Sequence, residues 1–384
     1  MKPIIVCIAP VPWEGIMARP QHVMRGLANR GWDIVYVDPP VTWLGPLKQP
    51  RLWRHVRPRP ELTNAEPGIS LLRLPAIWPF GNMQRTINRW NQQINGLHIR
   101  RALLEVRRTR PVILYSFLPG AVDLLSVLRS SYVIYDCVDD HASFDGLIRP
   151  NVINTMEKEL AHKSNTVFAT AMALLQKMQR VQPEAMLLPN GAEIQHFRHA
   201  RHVPEHPRLA NIPKPRLGFY GGLGAWIDFE LLRHTAKALP EASIVLIGPK
   251  EASMGALQGM DNVYWLDRQP YGELPAYLAG FDVTLAPFRR TVLTESLNPI
   301  KVYEYLAAGR EVVATVTAET VRLSDVIWLA DSADEFVEQI RAVLNGAQKA
   351  SEDVRNGVVF ENSWINRVEK IHGRLMEVFP DALT

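Results

Sequence analysis

Apolar positions in this chain fall into short continuous runs separated by amphipathic stretches, and that alternation occurs twice. The first run, Lys2 to Ala9, predicts a buried strand. A Pro/Trp/Gly loop from Pro10 to Ile16 follows, then a helical spacing over Arg19 to Asn29, Gly31 as a stop, and a strand over Asp33 to Val37. Arg110 to Tyr115, Tyr132 to Tyr135, Thr166 to Ala169 and Ala185 to Leu188 continue the series, with helical stretches between them; Ile87, Trp90, Ile94 and Leu97 recur at heptad-like spacing. Strands apolar on both faces that alternate with helices predict a parallel sheet covered on both sides. Phe197 to Pro215, rich in Pro, His, Arg and Asn, lacks periodicity and predicts a surface connection between domains. The pattern then restarts with strand Leu217 to Tyr220, a Gly-rich loop, helix Phe229 to Ala238, strands Ser243 to Gly248 and Val263 to Leu266, helix Leu274 to Leu278 and strand Asp282 to Ala286. The expected architecture is α/β: two doubly wound domains, residues 1–197 and 198–363, facing each other across a cleft. A last helix over 364–384, with Ile365, Val368, Ile371 and Leu375 on one stripe, is expected to pack back toward the first domain.

A length of 384 residues exceeds what one core usually serves, which agrees with two domains. Apolar residues at 47% and charged residues at 21% exclude a disordered or fibrous chain. No apolar run reaches the ~18 residues of a membrane span, and Pro10 and Pro12 interrupt the apolar start before a secretory signal forms, so neither is expected. Cys7 and Cys137 sit in apolar runs, which predicts reduced, buried thiols and a cytosolic compartment. The net charge of +4 hides an asymmetry: residues 1–200 hold 24 Lys and Arg against 15 Asp and Glu, and residues 201–384 hold 19 against 24. Residues 48–110 alone carry 13 basic and 3 acidic side chains, interleaved with aromatics around Trp53. That composition predicts docking on an anionic membrane surface with Trp43, Trp53 and Trp78 at the interface, a solvated arginine-rich face being the alternative. No recognised nucleic-acid motif accompanies the charge, and no nucleic-acid partner is expected.

Three segments carry candidate chemistry. In Glu295 to Gly309, Asn298 can cap a helix, Pro299 suits its first position ahead of Ile300, and Gly309 can stop it. Lys301, Glu304, Tyr305 and Ala308 then share a face. A cation in the first turn opposes the helix dipole by ~0.3–1 kcal/mol, a cost that an anion bound there reverses, so Lys301 points to phosphate. Glu304, a turn deeper, can accept hydrogen bonds from a ribose diol; an ordinary Lys301–Glu304 surface pair is the alternative. The turn Gly221-Gly222-Leu223-Gly224 follows a strand without the full dinucleotide fingerprint, and Gly248-Pro249 lacks a ribose-binding acid, which disfavours a nicotinamide cofactor. The turn either approaches a nucleotide closely or only packs. Tyr135 to His141 places Asp136, Asp139, Asp140 and His141 at a strand end, where apolar surroundings raise a carboxylate toward the range of a general base.

Taken in order, Leu188-Pro189-Asn190-Gly191, Phe219 to Gly224 with Asp228, Leu274 to Leu278 with Phe281-Asp282, and Glu295 to Gly309 resemble the GT-B glycosyltransferases, particularly the GT4-like family. The resemblance implies two Rossmann-like domains and a nucleotide-sugar site. It sets Gly222, Leu223, Gly224, Ser296, Asn298, Pro299, Ile300, Lys301 and Glu304 against the donor, with Glu304 on the ribose. The family's first glutamate position falls on Ser296, with Glu295 one residue out of register, and its Arg/Lys pair after the Gly-rich turn is replaced by Ala225-Trp226-Ile227-Asp228. Lys301 would then carry more of the diphosphate charge. Tyr135 to His141 resembles the xanthan-type glucuronosyltransferases, inverting enzymes whose proposed base aligns with Asp139; GT4 members retain configuration and need no such base. Glu14, Gly15, Arg19, His22, Asp140 and His141 are implied near the acceptor or diphosphate, Arg19 as the anion contact. No metal or cofactor is expected beyond the donor. The expected function is hexosyl or glucuronosyl transfer to a lipid-linked saccharide in cell-envelope or exopolysaccharide synthesis, by a cytoplasmic enzyme peripheral to the inner face of the plasma membrane. Rival readings are a nucleotide-sugar epimerase and a non-catalytic membrane or nucleic-acid binding module.

Overall fold

A computed structural model describes the chain except Met1, Ile16, Gln49, residues 107–109, Asp145, Ser296, Leu297 and Thr384. The chain forms two compact units: Met1–Pro189 with Arg367–Thr384, and Asn190–Asn366.

The first unit is built on an eight-stranded sheet of β1 (Ile4–Ile8), β2 (Asp33–Val37), β3 (Glu61–Glu66), β4 (Ile69–Arg73), β5 (Val112–Ser116), β6 (Tyr132–Cys137), β7 (Thr166–Ala169) and β8 (Met186–Leu187), in the order β3-β4-β2-β1-β5-β6-β7-β8. All neighbours pair in parallel except the β3–β4 hairpin, which is antiparallel with a bulge between Asn64 and Glu66. β1 lies at the centre, Ile4 facing Asp33 on one side and Val112 on the other, and all five of its residues are buried. Helix Arg19–Asn29 starts where the Ala18 amide donates to Gln21 Oε1 at 3.1 Å, and it buries Val23, Met24 and Leu27. The sequence pattern missed the β3–β4 hairpin because Glu61-Leu62-Thr63-Asn64-Ala65-Glu66 is polar, as befits a sheet edge. A cavity of about 530 Å³ lies at the amino ends of β1 and β2, the wrong end for ligand loops of a parallel sheet.

The helical stretch that carries Ile87, Trp90, Ile94 and Leu97 forms, and its orientation is unusual. In helix Arg85–Val106 the stripe of Trp90, Ile94 and Leu97 faces outward, while Asn88, Asn91, Asn95 and Ile99 face the protein. The asparagines make hydrogen bonds that an apolar residue could not: Asn88 Nδ2 donates to the Gly120 carbonyl at 3.0 Å, and Asn91 Nδ2 to the Trp78 carbonyl at 2.9 Å.

The second unit holds a six-stranded parallel sheet, β9 (Arg216–Tyr220), β10 (Ser243–Ile247), β11 (Val263–Trp265), β12 (Val283–Ala286), β13 (Val312–Thr315) and β14 (Trp328–Ala330), ordered β11-β10-β9-β12-β13-β14. β9 is at the switch point, so the loop after it sits where open sheets of this type bind ligands. Helix Phe229–Ala238 is capped by Asp228, whose carboxylate accepts from the Glu230 and Leu231 amides. The strands β13 and β14 and helices Ala333–Leu344 and Glu352–Glu361 were not read from sequence.

The unit boundary falls at Pro189–Asn190, earlier than position 197. The Ala192 amide donates to the Asn362 carbonyl at 2.9 Å and the Trp364 amide to the Ala192 carbonyl at 3.2 Å. A Cβ on Gly191 would stand 2.7 Å from the Trp364 nitrogen, so this segment is tied to the second unit's last turn. Helix Trp364–Val378 gives its residues from Arg367 onward to the first unit. There Val368, Ile371 and Leu375 are buried, Val368 against Gly26, and Trp32 Nε1 donates to His372 Nδ1 at 3.0 Å. Ile365 leaves the stripe and is 66% exposed, because its turn precedes the stretch that joins the first unit.

Candidate functional site

In the second unit, β9 hands over at Tyr220 to Gly221, whose φ of +149° suits glycine. The turn is held tightly from below: a Cβ on Gly248, itself at φ +146°, would fall 1.8 Å from the Gly221 carbonyl oxygen. Leu223 is fully buried, its amide donating to the Pro249 carbonyl and its carbonyl accepting from the Glu251 and Ala252 amides. Trp226 folds back so that Nε1 donates to the Gly222 carbonyl at 3.1 Å, with its ring where a Cβ on Gly224 would be, at 2.4 Å. Leu223 and Gly224 therefore fix the turn, and Gly221 and Gly222 are its accessible part. A Cβ on Gly221 would meet Lys301 Cε at 3.7 Å.

Lys301 lies in helix Ile300–Ala307, and its Nζ is 3.1 Å from Glu304 Oε2 and 5.0 Å over the Tyr220 ring. The Tyr220 hydroxyl donates to the same Oε2 at 2.7 Å. Burial, reinforced by the Glu304 charge, pushes the Tyr220 phenol well above its ordinary pKa and keeps it a donor. Glu304 is 4% exposed, yet its Oε1 takes no hydrogen bond among the described residues. Lys301 uses one donor on Glu304 and leaves two others without a protein acceptor among those residues. The pair is thus no ordinary surface pair: it is a half-buried cation and a buried carboxylate, each with unused hydrogen-bonding capacity, beside a closely approachable turn.

Asn298 does not cap this helix. Pro299 occupies the cap position without a side-chain cap bond, and Ile300 is the first helical residue. Asn298 is buried, and its Nδ2 donates to the Tyr303 hydroxyl at 3.1 Å and to Glu319 Oε2 at 3.3 Å while Oδ1 accepts from the Asn190 amide at 3.1 Å. It is a clasp between the segment entering the helix and the start of the unit. Proline at the cap removes an amide that would otherwise need a partner. Glu295 Oε2 accepts from the Ala318 amide at 2.8 Å, which commits that carboxylate to a neighbouring loop. Ser296 lies outside the described residues.

In the first unit, β6 delivers Asp136 into a closed site. Its oxygens take Arg19 Nε at 2.9 Å, Arg19 Nη2 at 3.0 Å and the Tyr115 hydroxyl at 2.8 Å, and Arg19 Nη1 donates to the Pro189 carbonyl at 3.2 Å. Arg19 is 4% exposed and its charge is matched by Asp136, so it is a structural ion pair and not the expected anion contact. Asp140 is likewise committed, to Lys177 Nζ at 2.7 Å and the Ser143 hydroxyl. Lys177 also pairs with the buried Glu157 at 2.6 Å. His141 Nε2 lies 3.0 Å from the Phe117 carbonyl; a carbonyl only accepts, so Nε2 carries the proton, and burial lowers the ring's pKa. Of these, Arg19, Asp140 and His141 were expected near the acceptor or diphosphate, and the structure commits each to protein partners around Asp139. The Asp139 carboxylate has no hydrogen bond or ion pair among the described residues, and burial, with the neighbouring Asp140 charge, pushes its pKa up to about 6.

Glu14 is exposed and pairs with Arg73 at 2.7 Å, next to the exposed Gly15 at φ +125°. His22 is half-buried in the first turn of helix Arg19–Asn29.

Residues 214–346 match the family of glycosyl transferases group 1. Solved structures align over nearly the whole chain: sucrose-phosphate synthase from Thermosynechococcus elongatus with a TM-score of 0.73, 15% identity and coverage of 99% of this chain and 100% of that one. An α,α-trehalose 6-phosphate synthase from Burkholderia multivorans gives 0.71 at 11% identity, covering 100% of both chains. The chain has the GT-B glycosyltransferase fold. The E. coli structure described as trehalose-6-phosphate bound with UDP-2-fluoro glucose shares this GT-B fold, with a TM-score of 0.70, 11% identity, and 97% and 99% coverage. The Bacillus subtilis (strain 168) protein TuaH, named as a teichuronic acid biosynthesis glycosyltransferase, is 25% identical over 54% of this chain and 56% of its own length. The match thus spans just over half of that relative.

The motif resemblance to GT-B, GT4-like glycosyltransferases agrees with the fold and with the group 1 domain. Within this GT-B chain the structure brings together Gly222, Lys301 and Glu304. It assigns Leu223, Gly224, Asn298, Arg19, Asp140 and His141 to the framework. Sequence reasoning missed Tyr220, which shares Glu304 Oε2 with Lys301, and Lys177, which bridges Asp140 and Glu157. A tyrosine ending the strand before a Gly-rich turn was the only signal of the first, and nothing in the sequence signals the second.

Proposed function

We propose that the protein is a glycosyltransferase that moves a hexosyl or glucuronosyl group from a nucleoside diphosphate sugar to a lipid-linked saccharide during cell-envelope polysaccharide synthesis, at the cytoplasmic face of the plasma membrane. The observation that carries this is the Lys301–Glu304–Tyr220 arrangement beside Gly221-Gly222, in the domain that matches glycosyl transferases group 1. A ribose diol donates to Glu304 Oε1, the turn passes close to the nucleotide, and the Lys301 ammonium meets the diphosphate. Support for the donor class comes from the UDP sugar analogue in the E. coli structure of the same fold. The role named for TuaH supports an envelope polysaccharide as product.

The chemistry balances without a cofactor. The acceptor hydroxyl oxygen attacks the anomeric carbon, the bond from that carbon to the diphosphate oxygen breaks, and the diphosphate departs with the electron pair. Negative charge grows on the leaving diphosphate, where Lys301 stabilises it more in the transition state than in the ground state. In an inverting transfer Asp139 takes the acceptor's proton; in a retaining transfer, as in the GT4-like enzymes that the motifs resemble, no protein base is used and the proton goes to the leaving diphosphate.

Lys301→Ala is expected to weaken nucleotide-sugar binding by more than roughly tenfold, since a charge-assisted contact of ~1.5–3 kcal/mol is lost. Isothermal titration checks it, and unchanged affinity removes Lys301 from the site. The reading as a whole is tested with a thermal-shift panel of hexosyl and glucuronosyl nucleotide sugars, because a ligand stabilises the native state by RT ln(1 + [L]/Kd). Nucleoside diphosphate release that requires an added acceptor supports transfer; isomerised donor without acceptor favours the epimerase.

A further inference from the structure

Helix Arg85–Val106 is amphipathic in the inverse sense. Its protein-facing row carries Asn88, Asn91 and Asn95 beside Ile99 and Ala102, and two of the asparagines are pinned: Asn88 Nδ2 also donates to Asp123 Oδ2 at 2.6 Å, and Asn91 exchanges two hydrogen bonds with Trp78, accepting from its amide at 3.0 Å and donating to its carbonyl at 2.9 Å. Close approach is set by Gly96, where a Cβ would stand 2.7 Å from Val127 Cγ1. The outward row at i, i+4, i+7 and i+14 is Trp90, Ile94, Leu97 and Leu104, exposed by 53%, 37%, 53% and 59%. The hydrogen bonds of Asn88 and Asn91 hold that side of the helix inward and leave this stripe facing out.

The patch extends beyond the helix. The Trp78 ring, 51% exposed, stacks on Trp90 with centroids 5.9 Å apart and planes at 20°. Phe80, 39% exposed, holds a φ of +68°, which an aromatic residue adopts only when its surroundings impose it. Its carbonyl accepts from the Met83 and Gln84 amides at 2.9 Å and so launches the helix. A parallel bridge between Thr42 and Ile77 brings the exposed Trp43 alongside. Basic side chains flank this surface: Arg89, Arg100 and Arg101 are exposed, and the helix holds one acid, Glu105.

From these observations we infer that helix Arg85–Val106, with the Trp78–Phe80 loop, lies in the head-group region of an anionic bilayer with its Trp90, Ile94 and Leu97 row against the acyl chains. Tryptophan clusters favour that boundary, and arginines at the flank meet anionic head groups, a combination that suits lipid better than an apolar protein face. No helix among the described residues is long and apolar enough to cross a membrane, so the element lies on the bilayer and does not span it. This deepens the membrane association proposed above, rests on that reading for the choice of partner, and uses no feature of the donor site.

The test is sedimentation of the full chain with vesicles of phosphatidylglycerol and phosphatidylcholine, compared with a Trp90→Gln, Ile94→Gln, Leu97→Gln variant. All three side chains are exposed, so the variant should keep its thermal midpoint while binding at least roughly tenfold more weakly. Bromine-labelled lipid should quench the tryptophan emission of the unaltered chain, a readout that needs no variant. Unchanged vesicle affinity in the variant, or binding without quenching, overturns the inference and leaves a purely charge-driven docking. A chain that ignores vesicles but forms a dimer that the variant dissociates overturns it in favour of a second copy. Nucleotide-sugar binding stays the same in every arm, so a failure here is separable from a failure of the transferase reading.

Discussion

Asp139→Asn is expected to lower kcat for sugar transfer by roughly 10²- to 10⁴-fold while leaving donor affinity unchanged. Asp139 is the one carboxylate of its loop whose oxygens have no protein partner among the described residues: Asp136 is closed by Arg19 and Tyr115, and Asp140 by Lys177 and Ser143. Burial, together with the nearby Asp140 charge, raises its pKa to about 6, so near neutrality it is ionised yet a better proton acceptor than an ordinary carboxylate. The sign for activity follows directly: kcat/KM should rise with pH through about 6 and the variant should lose that limb. The sign for stability is opposite to that of a paired carboxylate. With the folded pKa above the ordinary 3.8, the buried anion opposes folding at neutral pH, and that penalty fades as pH falls through about 6 toward 3.8. Asp139→Asn should therefore melt higher than the parent at pH 7–8 and alike near pH 4, a combination that misfolding does not produce. A variant with full kcat would mean that no protein base is used and that transfer retains the anomeric configuration.

The strand framework was legible because each central strand is apolar on both faces, and nothing but a doubly covered parallel sheet accommodates that pattern. Helices Arg19–Asn29 and Phe229–Ala238 were legible from their spacing, the first also from Gly31 as its stop, and the structure adds Pro20 in the first turn of one and the Asp228 cap of the other. Period alone located helix Arg85–Val106 but left its orientation open, since spacing gives a stripe but not which side of it meets the protein; here asparagine hydrogen bonds decided. At the site, Lys301 and Glu304 could be read because helical spacing makes i and i+3 neighbours. The functions of Asn298 and Arg19 could not, because their partners lie far along the chain: Asn190 is 108 residues from Asn298, and Asp136 is 117 from Arg19. A charged residue at a helix start looks the same in sequence whether it waits for an anion or already holds a buried one.

Arg19→Ala separates those two cases, and the expected result is a loss of roughly 3–5 kcal/mol in unfolding free energy. Asp136 is fully buried, and without Arg19 its charge would keep only the Tyr115 hydroxyl among the partners seen here. The penalty is the stranded anion, not the value of the ion pair itself. Hence Arg19→Met combined with Asp136→Leu, which removes both charges at similar volume, should recover much of the loss, and the non-additivity is the signature of a buried pair. Equilibrium urea unfolding measures all three proteins. An Arg19 that served as a solvent-facing anion contact would behave differently: truncation would move stability by no more than ~0.5 kcal/mol, weaken donor or acceptor binding, and gain nothing from a change at Asp136. The ion pair joins the start of helix Arg19–Asn29 to the end of β6, three residues ahead of Asp139. Its loss should therefore also blur the pH limb set by Asp139, even in conditions where the variant stays folded.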